Sequence, residues 1–154
     1  MTKILFVCLG NICRSPMAQF VMQELVRREG LADQFQIESA ATSREETGNP
    51  PHHGTRRKLA QMGIPMGQHR ARQMTAADYQ EYDLLIGMEK WNLQAMQRIA
   101  GGDPDHKMHL LLDFTERGGD IADPWYTGNF EVTFEDVWEG CQGLLQYLRE
   151  NPAE

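Results

Sequence analysis

The sequence predicts a single α/β domain spanning 1–154, with a doubly wound, four-stranded parallel sheet flanked by helices. Three observations carry this. Short continuous apolar runs, of the kind buried on both faces of a parallel sheet, recur along the chain. Segments with helical periodicity separate them. No repeat, low-complexity tract or linker interrupts the alternation.

The first run, KILFVC (3–8), reads as a strand with Cys8 at its carboxyl end. The loop LGNICRS leads to a helix opening at Ser15-Pro16, because Ser is a favoured N-cap and Pro fits the first helical position. Met17, Phe20, Val21 and Leu25 share one helical face, and Gly30 supplies a stop. FQIESA (35–40) reads as the second strand. SREETGNPPHHG (43–54) is a polar loop with Gly and two prolines. A helix over 55–62 closes at Gly63, and Thr75 with Asp78 matches a capping box for a short helix. YDLLIGM (82–88) is the third strand, WNLQAMQRI (91–99) a helix and HKMHLLLDF (106–114) the fourth strand. ERGGDIADPWYTGN (116–129) reads as a long loop. Phe134, Val137, Trp138, Cys141, Leu144, Leu145 and Leu148 then form the apolar stripe of a terminal helix.

Charge narrows the function. The chain carries 15 basic and 22 acidic residues, a net charge of -7. That argues against a nucleic-acid or anionic membrane surface, which needs a basic footprint. A small phosphate ligand is still accommodated, since it needs only a local positive pocket. Three cysteines, at 8, 13 and 141, form no disulfide framework and suit a reducing compartment. The amino-terminal run lacks the length and cleavage site of a signal peptide, and no stretch approaches the roughly 20 apolar residues of a membrane span. The expected location is the cytoplasm.

In doubly wound sheets ligands bind outside the carboxyl ends of the strands, where Cys8 lies. The loop after it runs into a helix N-terminus, whose N–H groups and dipole favour an anion. Gly10 and Asn11 tolerate the left-handed backbone of a tight loop. The N–H groups of Leu9, Gly10, Asn11, Ile12, Cys13, Arg14 and Ser15 can form a nest for phosphate oxygens, and the Arg14 guanidinium matches two of them. The same field favours the thiolate of Cys8, to which the Ser15 hydroxyl can donate. A nucleophilic thiolate at the floor of a phosphate cradle performs phosphoryl transfer. Cys13 either forms a reversible disulfide with Cys8 or packs beneath the loop. Cys141, on the apolar stripe, reads as core.

VCLGNICRSPMAQ resembles the active-site signature of the low-molecular-weight protein tyrosine phosphatases. The resemblance extends through ESAATS (38–43), GNPP (48–51), HRARQMT (69–75), GMEKWN (87–92) and DPWYTGNF (123–130). It implies Cys8 as nucleophile, Arg14 as ligand of the transferring phosphoryl group, and Asp123 as acid and then base. It also implies that Asn11, Ser15, Ser39 and His69 hold the loop's shape. Trp125 and Tyr126, next to Asp123, are expected to line one wall of the mouth. The opposite wall, Arg44-Glu45-Glu46, lacks the aromatic residue common in relatives, and Glu89 stands where Asp is common.

The implied activity is a metal-independent hydrolysis of protein phosphotyrosine and small aryl phosphates, through a cysteinyl-phosphate and without a cofactor. His52, His53, His106 and His109 have no recognisable zinc companions. A thioredoxin-coupled arsenate reductase would need further cysteines near the third strand, and Tyr82 to Trp91 has none. A phosphocarrier domain would need neither Arg14 nor Asp123. A phosphopeptide-binding module would need neither Cys8 nor Asp123.

Overall fold

A computed structural model describes residues 1–151, so the last three positions of the expected 1–154 domain lie outside the described residues. Four parallel strands form the sheet in the order β2-β1-β3-β4: β1 Thr2–Cys8, β2 Phe35–Ala41, β3 Leu84–Gly87 and β4 Met108–Leu110. The central strand β1 pairs with β2 on one side and β3 on the other, so its carboxyl end is the point where the strand order reverses. Cys8 is its last residue, opposite Ala41.

Alternation along β1 splits the interior into two layers. Ile4, Phe6 and Cys8 face a core shared with α1 (Arg14–Arg28) and α6 (Phe130–Glu150), where Met17, Val21, Val137, Cys141 and Leu144 are buried. Leu5 and Val7 face a smaller core with Tyr79 of α3 (Ala76–Glu81) and Met96 of α4 (Lys90–Ala100). The described residues also form α2 (His53–Gln61) and the single-turn α5 (Pro124–Thr127). Among the described residues, no helix is long and apolar enough to cross a membrane.

Several elements follow their local signals. Gly30, at φ 71°, closes α1, with its N–H on the Arg27 carbonyl and that of Leu31 on the Val26 carbonyl. The Thr75–Asp78 capping box is formed at the start of α3. Others depart from expectation. Helix α1 starts at Arg14 with Cys13 at the cap position and no side-chain cap, so Ser15 sits inside the first turn with its hydroxyl turned to the sulfur of Cys8. Helix α2 begins earlier than expected, at His53, because the His52 ring caps it.

The fourth strand is much shorter than 106–114. His106, at φ 53°, precedes it, and Leu111–Phe114 form a 3₁₀ turn. That turn buries both Leu111 and Leu112, which successive strand positions would send to opposite faces. Helix α6 packs closely on it through Gly140 and Gly143, where an added Cβ would strike Leu111 and the Phe114 backbone. The 116–129 loop is also less irregular than expected, since it contains α5.

Candidate active site

The loop from Cys8 to Ser15 folds around one sulfur atom. The Ser15 hydroxyl lies 3.0 Å from Cys8 Sγ, and the N–H groups of Asn11 and Ser15 donate to it at 3.3 and 3.4 Å. Asn11 Nδ2 donates to Ser15 Oγ at 2.8 Å. The hydroxyl hydrogen is therefore free to point at the sulfur, its closest acceptor. Three donor groups thus converge on one sulfur.

Asn11, not Gly10, takes the left-handed conformation, with φ 59°. Its fully buried amide oxygen accepts from His69 Nε2 at 3.1 Å and from the Arg72 N–H at 3.3 Å. Burial holds the His69 imidazole below its ordinary pKa, so the ring is neutral and Nε2 carries the donated hydrogen. Ser39 lies outside this network; its hydroxyl donates to Gln19 Oε1 at 2.5 Å and ties β2 to α1.

The N–H groups of Gly10, Ile12, Cys13 and Arg14 meet no acceptor among the described residues. They are free for an anion, whereas those of Asn11 and Ser15, grouped with them from sequence, are committed to the sulfur. Cys8, Leu9, Gly10, Ile12, Cys13 and Arg14 line one pocket.

Arg14 is 1% exposed. Its Nη1 donates to the Ile121 carbonyl at 2.9 Å, Glu89 lies 3.3 Å from Nη1 and 3.4 Å from Nη2, and Asp123 Oδ2 is 3.4 Å from Nη2. Burial opposes the charge, but Cys8, Asp123 and Glu89 outweigh it and raise the arginine pKa. Glu89, which stands where Asp is common in relatives and has no role assigned from sequence, reaches the guanidinium directly. The clue was its position just after β3, on the same edge of the sheet as Cys8.

Asp123 enters the pocket from the far end of the chain. It caps α5, with Oδ1 accepting from the Trp125 N–H at 3.0 Å, and Pro124 occupies the first helical position. Trp125 and Tyr126 are 57% and 77% exposed and line the same pocket, as do Ser43, Glu45 and Glu46. Arg44 does not. Cys13 is buried at the pocket wall; burial first, then Cys8 and Asp123, push its thiol up to about 12. It is a neutral thiol at neutral pH. Cys141 is fully buried in the core. Among the described residues, no group of three or more His, Cys, Asp or Glu is arranged to hold a metal.

Known proteins share this arrangement of chain and fold. The model of the low molecular weight phosphotyrosine protein phosphatases matches residues 3–154. A low molecular weight protein-tyrosine-phosphatase of Bacillus subtilis, YfkJ, is 38% identical over 152 residues, covering 97% of each chain. The crystal structure of that relative superposes with a TM-score of 0.96 at 37% identity, covering 99% of this chain and 98% of the other. A low molecular weight phosphotyrosine protein phosphatase of Gallus gallus is 39% identical over 152 residues, covering 97% of this chain and 95% of its own. A match that spans the chain in family model, sequence and fold places it among enzymes that hydrolyse phosphate from protein tyrosine. The chain belongs to the low molecular weight phosphotyrosine protein phosphatase family.

Proposed function

We propose that this chain hydrolyses phosphotyrosine in proteins and small aryl phosphates through a cysteinyl-phosphate at Cys8, with Asp123 as acid and then base. The observation that carries the reading is one pocket holding Cys8 under three donors, the buried Arg14 and the carboxyl group of Asp123.

The phosphoryl group of the substrate sits in the nest of free N–H groups, with two of its oxygens on the Arg14 fork. The Cys8 thiolate attacks phosphorus, forming the S–P bond as the bond to the aryl oxygen breaks. Asp123 gives its proton to that oxygen, so the leaving group departs as a neutral phenol. Asp123, now a carboxylate, takes a proton from water as the water oxygen attacks phosphorus. The S–P bond breaks, inorganic phosphate leaves and Cys8 returns as a thiolate held by Ser15, Asn11 and its own loop. A reducing compartment such as the cytoplasm suits a reaction that needs this thiolate free.

Selectivity comes from the walls, since the floor meets only phosphate. The exposed faces of Trp125 and Tyr126 can hold a phenyl ring, worth about 0.5–1.5 kcal/mol beyond burial. Glu45 and Glu46 opposite repel strongly acidic peptides. Two measurements test the reading. Acid quench during turnover should leave phosphate on the Cys8 peptide; its absence sinks the covalent route. Matched phosphotyrosine and phosphoserine peptides should differ clearly in kcat/KM, with the ratio reduced by Trp125→Ala. Equal rates in the parent exclude the tyrosine assignment.

A further inference from the structure

The turn at the start of α2 touches both halves of the site. The His52 N–H donates to the Ile12 carbonyl at 2.7 Å, and the Thr55 hydroxyl donates to the Cys13 carbonyl at 3.0 Å. These bonds grip the back of the phosphate loop, whose own N–H groups face the pocket. From the same residue, the His52 ring reaches the acid loop. It lies edge-on to Trp125, with centroids 5.6 Å apart and planes at 80°. It is stacked between His53, at 4.2 Å, and Phe130, at 5.1 Å.

The ring has little freedom in this position. Its Nδ1 accepts from the Gly54 N–H at 3.0 Å, which fixes the tautomer with hydrogen on Nε2. Gly54 has no room for a side chain, because a Cβ there would strike the Phe130 ring. Phe130, Gly54 and His52 are therefore packed in one fixed order. Burial, then the neighbouring His53 and Arg56, hold the imidazole below its ordinary pKa against the opposing charge of Glu46, so Nδ1 stays an acceptor at neutral pH.

The acid loop needs such a support. Helix α5 is one turn long, Asp123 is its cap, and the carboxylate reaches Arg14 only at 3.4 Å. Trp125, two residues on, is half open to solvent and donates its backbone N–H to that carboxylate. Whatever fixes Trp125 fixes the cap.

We propose that His52 is a positioning residue that joins the phosphate loop to the acid loop. Its backbone holds Ile12, and its ring holds α5 through Trp125, so that the Asp123 carboxyl group is kept in register with the phosphoryl group. This rests on the reading of Asp123 as the acid.

The test compares phenyl phosphate, a poor leaving group, with p-nitrophenyl phosphate, a good one, in the whole enzyme. His52→Asn is the informative variant, since Asn keeps a side-chain cap for α2 while removing the ring; thermal denaturation verifies that it folds. We expect kcat/KM to fall about tenfold on phenyl phosphate, part of the roughly 10²-fold that a 1 Å misplacement can cost. The fall should be under about threefold on p-nitrophenyl phosphate, which needs less protonation. In a Trp125→Ala background the same change should add less than about twofold, because its point of contact is gone. An equal loss on both substrates, or full additivity with Trp125→Ala, overturns the positioning role. Asp123→Asn run beside it separates the two claims. If that variant discriminates between the substrates and His52→Asn does not, only the role of His52 falls. If Asp123→Asn loses equally on both, the acid assignment falls and the inference with it.

Discussion

The phosphate loop and the acid loop meet in one pocket but are built in opposite ways. The first is eight consecutive residues, Cys8 to Ser15, running from the last residue of β1 into the first turn of α1, with Asn11, Arg14 and Ser15 all but fully buried and tied by a continuous hydrogen-bond network. The second rests on a single helical turn, exposes Trp125 and Tyr126, and meets the first at Arg14, through the Ile121 carbonyl at 2.9 Å and the Asp123 carboxylate at 3.4 Å. The difference teaches a division of labour. A group that must stabilise a dianion in one position is preorganised in a buried network. A group that must serve two steps and admit a substrate is carried on the accessible side.

The largest break in this comparison is at the sulfur. Cys8→Ser should abolish p-nitrophenyl phosphate turnover while vanadate still binds, because the nest and Arg14 remain. Substantial residual turnover would remove the covalent route. Arg14→Lys should be severely impaired too, since an ammonium cannot reproduce the planar fork.

Next comes the acid loop. Asp123→Asn should lower kcat by about 10²–10⁴ on poor leaving groups and by less on good ones. A uniform loss would give Asp123 a structural task only.

A third change separates shape from chemistry inside the phosphate loop. Asn11→Ala removes the amide that joins Ser15, His69 and Arg72 and leaves a β-carbon at positive φ. Denaturant titration should show a loss of about 1–3 kcal/mol from unsatisfied partners alone, together with reduced turnover. Unchanged stability would mean that the network does not hold the loop.

The smallest effect is on pH dependence. The His69 pKa is lower in the folded protein than its ordinary 6.5, by burial. The folded state thus binds fewer protons there than the unfolded chain, and the associated stability is complete above 6.5 and lost as the pH falls through the lowered value. His69→Gln, which keeps a donor for Asn11, should flatten the fall in stability below the ordinary histidine pKa of about 6.5. An unaltered slope would assign that fall to other groups, the half-buried His52 first among them.

Much of the molecule was legible in the order of its residues. The strand–loop–helix unit around Cys8 is contiguous, so spacing alone brought Cys8, Arg14 and Ser15 together, and apolar runs and caps marked β1, β2, α1, α3 and α6. Errors arose where local signals competed with packing. Ser15 reads both as a helix cap and as a donor to the sulfur of Cys8, and only the second holds, because the helix starts one residue before it, at Arg14. The run through Leu111 and Leu112 reads as strand, yet α6 offers a face that only a helical turn can fill with both. Tertiary structure alone decided which distant groups meet Arg14: Glu89 from the end of β3, and Ile121 and Asp123 from the loop after β4. It likewise set the His52 ring against Trp125, 73 positions further along. Spacing can state what short segments will do. Which side chains converge at the open end of a sheet depends on strand order and crossovers, because these bring remote loops to one edge.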